Sequence, residues 1–296
     1  MLRATAVLAL AACGSNARPV AIGNKTPTSP YAAAIDDVLG FLPADSEIVV
    51  GIDGVQLRKS ALWTQFSPTL IAKMGSELGE LRTACGFDPV QTVERITVGV
   101  RMADDVVGVV VVRGVGASTM GCVRTYLGKE FGGVVDDKGV LVIALDDHEK
   151  SAWTMVGSTL IIQLGLDVGH DSMQAVLGAG APLRASRPFM DVYGQLESGA
   201  TVWGVISGKS KLFDDAGAKR PRTLLGTVTV ADHLVIAGKG VFDTADVAHS
   251  VNQDVQDTFQ QNRGFTELAN SVVDGNAVSI RVSMGAVQLR RLLDTI

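Results

Sequence analysis

Val106 to Val112 is an unbroken apolar run ended by Arg113, the longest in the body of the chain. It falls far short of the roughly 18 apolar residues that a membrane-crossing helix needs. Its valines suit an extended strand buried in a sheet, so the chain is required to build a sheet core around it. Hydrophobic residues at 47% and charged residues at 19% of 296 residues supply that core and exclude a disordered, solvating protein. The length allows one large domain or two modest ones. With a net charge of −5 and aromatics at 5%, the chain offers neither a basic field nor stacking platforms for nucleic acid.

Flanking segments repeat the pattern of strand and helix. Ile48 to Ile52, Ile96 to Met102, Val140 to Leu145, Ala152 to Val156 and Thr159 to Leu164 read as strands. Trp63, Phe66, Leu70, Met74, Leu78 and Leu81 recur at helical spacing. Ser67-Pro68 divides that region and Gly86 caps its end. A second helix from Ser118 carries Met120, Val123, Leu127 and Phe131 inward. A short helix is expected over Ala32 to Leu39, and another within His170 to Ala185, where a Gly/Pro-rich break marks a boundary.

Beyond that break the grammar recurs. Asp37 to Gly40 before Val49-Val50-Gly51 is echoed by Asp191 to Gly194 before Val202-Trp203-Gly204. Val100 to Asp104 is echoed by Val228 to Asp232. Gly114 and Gly240 each open a helix, the latter with Val247, Val251, Val255 and Phe259 inward and His249 and Gln253 outward. Val55 to Lys59, after the first strand, is echoed by Val287 to Arg291 after Val278 to Val282. Echoes in consistent order indicate an internal duplication. Strands with inserted helices in β-α-β-β-α order predict an α+β fold. In it a mainly antiparallel sheet carries helices on one face and is built from two related ferredoxin-like halves, residues 31–183 and 184–296.

Motifs for chemistry are incomplete. Ser207-Gly208-Lys209-Ser210 lacks the first glycine of a phosphate loop, because Trp203 stands there. Gly114 to Thr119 lacks the third glycine of a dinucleotide fingerprint. Asp146-Asp147-His148-Glu149 concentrates donors, but neighbours in a hairpin splay apart and no second ligand set completes a shell. His170, His233 and His249 stand singly. No catalytic residue, metal site or cofactor is assigned.

The N-terminus states a location. Met1-Leu2-Arg3 is a minimal positive region, Ala4 to Ala12 is apolar, and small residues precede Cys13, the layout of a secretory leader. Leu10-Ala11-Ala12-Cys13 resembles the lipobox of bacterial lipoproteins, in which signal peptidase II cuts before the cysteine and its thiol carries a diacylglycerol. That resemblance implies a signal peptide over 1–12, a lipidated Cys13 anchored in the membrane, and a tether over 13–30. Gly14 stands where inner-membrane retention usually shows Asp, which implies the outer membrane, with the body in the periplasm or at the cell surface. The body loosely resembles uncharacterised envelope lipoproteins through Leu42-Pro43-Ala44-Asp45 and the strand after it. With Cys13 consumed by lipid, Cys85 and Cys122 remain as an even pair in a compartment where disulfides persist, and a Cys85–Cys122 bond is expected. The expected function is a non-catalytic, lipid-anchored envelope protein that binds an envelope protein, polymer or lipid, or has a structural role. Its alternatives are a lipid-anchored hydrolase with an unpatterned acid/base site and a carrier of a hydrophobic ligand.

Overall fold

The computed structural model describes residues 38–73, 77–102, 106–131, 134–145, 149–178 and 182–295. The leader, Cys13, the tether, residues 32–37 and the Asp146-Asp147-His148 cluster lie outside them. In chain order the strands are β1 (Ile48–Asp53), β2 (Arg95–Met102), β3 (Val106–Arg113), β4 (Val134–Asp137), β5 (Val140–Ala144) and β6 (Lys150–Val156). There follow β7 (Thr159–Gly165), β8 (Val202–Ser207), β9 (Thr223–Val230), β10 (Leu234–Val241), β11 (Leu268–Asp274) and β12 (Ala277–Met284). The helices are α1 (Gly54–Lys59), α2 (Ala61–Lys73), α3 (Glu77–Cys85), α4 (Pro89–Thr92), α5 (Ala117–Phe131), α6 (His170–Gly178), α7 (Arg187–Tyr193), α8 (Ala245–Gln261) and α9 (Ala286–Thr295).

The fold is α+β, and the chain divides into two compact units. One joins residues up to Ser46 with Pro68–Phe189; the other joins Glu47–Ser67 with Met190–Ile296. This differs from the contiguous halves expected from sequence. β1 belongs with the second unit because it pairs antiparallel with β8, Ile48 opposite Ile206 and Ile52 opposite Val202. The expected helix break at Ser67-Pro68 is not a break: α2 runs through Pro68. It is instead where the chain passes from one unit to the other.

In the first unit the strand order is β2-β3-β7-β6-β5-β4, with antiparallel neighbours throughout. In the second, β9-β10-β12-β11 follows β1-β8 in the same manner. The ladders within each unit are antiparallel meanders, and they do not establish the ferredoxin-like form of the halves expected from sequence. The order β2-β3-β7-β6 recurs as β9-β10-β12-β11, and the hairpin echo in the sequence falls on strands holding equivalent places. The β1–α1 and β12–α9 echo does not, since β1 and β12 hold different positions.

In each unit helices lie on both faces of the strands, not one. Gln163 of β7 meets Ser172 of α6, whereas Asp136 of β4 meets Arg124 of α5 at 2.6 Å. Asp136 shares a cross-strand row with Leu141, Trp153 and Ile162, and Ile162 points away from its neighbour Gln163. The physical reason is visible in composition: Gly108–Val112 and Thr159–Gln163 are buried at every position, and a strand apolar on both faces needs cover on both. In the second unit Val247 and Val251 of α8 pack on Phe242, Ala248, Val278 and Ile280. On the other face Tyr193 of α7 meets Trp203 edge-on, with ring centroids 4.9 Å apart. Gly51 lies opposite Trp203 and has no room for a Cβ beneath that indole. Gly240, expected to open a helix, lies inside β10, paired with Leu224 and Val278, and the Phe242 ring stands 3.1 Å from where a Cβ would be. The helix opens later, with Thr244 as N-cap accepting from the Val247 amide.

Candidate binding cavities

α3 ends at Cys85, where Gly86 takes a φ of 61° and its amide bonds the Arg82 carbonyl, as a helix C-cap requires. α5 runs antiparallel to α3, and Cys122 in it lies 5.5 Å, Cα to Cα, from Cys85, with which it forms a disulfide. The geometry needs no return turn: side-by-side antiparallel helices bring the two thiols together directly. One turn further along, the Tyr126 hydroxyl reaches Glu80 at 3.5 Å. Between these helices is an open cavity of about 760 Å³ with Glu80, Arg82, Thr83 and Lys129 at its rim.

A second cavity, of about 490 Å³, lies in the first unit between the 40–45 segment and α6. Pro43 and Pro182 form a bridge at one end, and the Leu183 amide donates to the Leu42 carbonyl at 2.8 Å. Gln163 lines it and is 8% exposed.

The third cavity, about 300 Å³, is in the second unit on the sheet face opposite α8. Leu225, Ala237 and Leu196 give it an apolar lining. The loop after α7 is held there by two polar ties: Lys239 Nζ donates to Gln195 Oε1 at 3.2 Å, and Arg281 Nη1 to Glu197 Oε1 at 2.8 Å. Arg281 is neutralised by Glu197, while the partner seen on Lys239 is an uncharged amide. The site therefore presents one excess positive charge beside an apolar floor.

The motif remnants do not form sites. Arg220 donates to the carbonyls of Gly208 and Ser210, and Ser210 caps Leu212, so the Ser207–Ser210 turn spends its polar groups internally. Gly114, at a φ of 90°, donates to the Ser158 carbonyl. His170 bonds Asp171 at 2.8 Å, which lowers that carboxyl below its ordinary range, first by the hydrogen bond and then by charge. His233 stands between Asp232 at 3.4 Å and Glu267 at 3.3 Å, and Asp232 is lowered chiefly by the same kind of hydrogen bond. His249 is exposed on α8. Among the described residues no group of three His, Cys, Asp or Glu side chains is placed to hold a metal.

Sequence reasoning found the disulfide pair and missed the cavities. The available signals were Gln163, a lone amide in the apolar strand Thr159–Gly165, and Lys239, a lone cation in Leu234–Val241. No protein-family model matches the sequence, and no curated protein matches it. Two solved structures are similar. Crystal form III of TP0453 has a TM-score of 0.54 at 9% identity, covering 92% of this chain and 100% of that one. Crystal form IV has a TM-score of 0.55 at 9% identity, covering 89% and 98%. At such identity the likeness is one of fold.

Proposed function

We propose that this is a non-catalytic, lipid-anchored protein of the cell envelope that works by binding, with a lipid, polymer or protein as its partner. The observation that carries the binding half is the cavity of the second unit. Apolar walls with a few convergent polar groups are the usual make-up of a ligand site. Its Lys239 and Arg281 are held in place by the loop that walls the cavity. The two-carboxylate form of hydrolysis needs two converging acids, and among the described residues each of these three cavities is lined by a single carboxylate: Glu80, Asp45 or Glu197.

The anchoring half rests on Leu10 to Cys13. No helix among the described residues is long and apolar enough to cross a membrane, so on this reading the acyl chains do the holding. Each buried methylene contributes about 0.8 kcal/mol, and stable attachment takes more than one chain. The intact mass of membrane-extracted protein, compared with Cys13→Ser, tests the anchor. An acyl increment on a chain beginning at Cys13, lost in the variant, is expected; an unmodified chain beginning at Met1 rejects it. Native mass spectrometry of the same extract, with Ala237→Trp filling the cavity, tests binding: a bound mass that Ala237→Trp does not displace rejects this cavity as the site.

A further inference from the structure

We infer that the cavity between the 40–45 segment and α6 is a second binding site, for a neutral and mainly apolar molecule that carries one hydrogen-bond acceptor, of the aliphatic ester class. It does not depend on the envelope reading, since nothing in its construction involves Cys13 or the second unit.

The inference begins with an amide in the wrong surroundings. Gln163 lies in the middle of an apolar strand and is 8% exposed. Burying an amide without partners is costly, so such groups are nearly always satisfied. Half of this one is. Ser172 Oγ accepts from the Gly169 amide at 2.9 Å. Its hydroxyl has two acceptors in reach, Gln163 Oε1 at 2.9 Å and the Gly169 carbonyl at 3.1 Å, of which Gln163 Oε1 is the nearer. Among the described residues the Nε2 donors of Gln163 meet no protein acceptor; Nε2 is not sealed off, and Gln163 lines the cavity. What is missing there is an acceptor.

The walls define the rest of the guest. Phe41 and Leu42 form one side, both almost wholly buried. Ala175 and Val176 form the other, one helical turn beyond Ser172 on the same face of α6. The bridged prolines 43 and 182 close an end. Asp45 is the single charged group of the lining, and it is paired with Arg101 at 2.7 Å. An anion would find no cation to neutralise it and a carboxylate nearby. A cation would have to break the Asp45–Arg101 pair. A neutral acceptor on an apolar body meets every surface of the site, and about 490 Å³ is a normal volume for such a ligand.

The test compares methyl octanoate with undecane, two chains of equal heavy-atom count of which one carries an ester. Ligand-observed NMR titration of the full chain gives the affinity ratio. One net hydrogen bond carries a factor of about 5, so the ester-to-alkane ratio should fall about fivefold in Gln163→Leu, with undecane binding kept. Val176→Trp should abolish binding of both by filling the space. An unchanged ratio in Gln163→Leu overturns the inference, because the amide then serves the fold or a water alone. Undiminished binding to Val176→Trp overturns it by placing the ligands elsewhere. Should Gln163→Leu not fold, the Val176→Trp comparison still decides, as Val176 is partly exposed and outside the strand core. Failure of the Cys13 mass experiment leaves this result untouched, so the two readings fall separately.

Discussion

Reduction of the Cys85–Cys122 bond should weaken the first unit in a graded way. The bond closes a separation of 37 residues, for which loop-closure entropy in the unfolded chain gives about 4 kcal/mol as an upper value. Along α3, Gly79, Glu80, Arg82, Thr83 and Ala84 are exposed, and the Tyr126–Glu80 hydrogen bond is long. The disulfide is therefore the strongest described tie between α3 and α5. Its loss should free α3 locally before the sheet opens, since segments with few buried contacts open at low free energy. Denaturant unfolding with and without reductant, together with amide exchange, reads both parts. The midpoint should fall on reduction, and exchange over Glu77–Cys85 should quicken while β3 and β7 keep their protection. Peptide mapping after alkylation of the unfolded, unreduced protein should leave both cysteines unlabelled. Labelling of both refutes the pairing, and equal midpoints refute the entropy argument.

Two further changes probe the second unit. Val251→Asp places an unpaired carboxylate against Phe242, Ala248 and Val278 and should cost about 2–3 kcal/mol in denaturant unfolding, whereas His249→Ala, on the exposed side of α8, should stay within about 0.5; equal losses would remove the stripe assignment. Gly51→Ala drives a methyl into the Trp203 indole and should cost about 1–3 kcal/mol with a shift in tryptophan emission. A wild-type midpoint and spectrum would show that the indole is not seated on Gly51.

Local pattern carried the elements well. The run at Val106 to Val112, the Gly86 cap and the α8 stripe are each decided by residues within one or two turns of one another. The pairing of the two cysteines followed from the expectation that Cys13 is consumed by lipid, which leaves two. Three features were hidden because they depend on residues remote in sequence. β1 reads as an ordinary first strand, and nothing near Ile48 announces that its partner is Ile206. Cover on both faces was implied by the nearly unbroken apolar runs of β3 and β7, yet the β-α-β-β-α reading placed helices on one face only. The cavities are shapes between elements, and only Gln163 and Lys239, each a polar residue where its strand is otherwise apolar, hinted at them.

The placement of β1 has a consequence for how the polypeptide can acquire its structure. β1 is synthesised early, but its antiparallel partner β8 begins at Val202. The first unit can close from chain that is nearly contiguous, Pro68–Phe189, while the edge of β1 that pairs with β8 stays open. Contacts of such long sequence separation form late because loop closure must precede them. The strands of the second unit are thus completed after the first unit has folded, and the interval before β8 arrives is when this chain is most exposed to proteases and to mispairing.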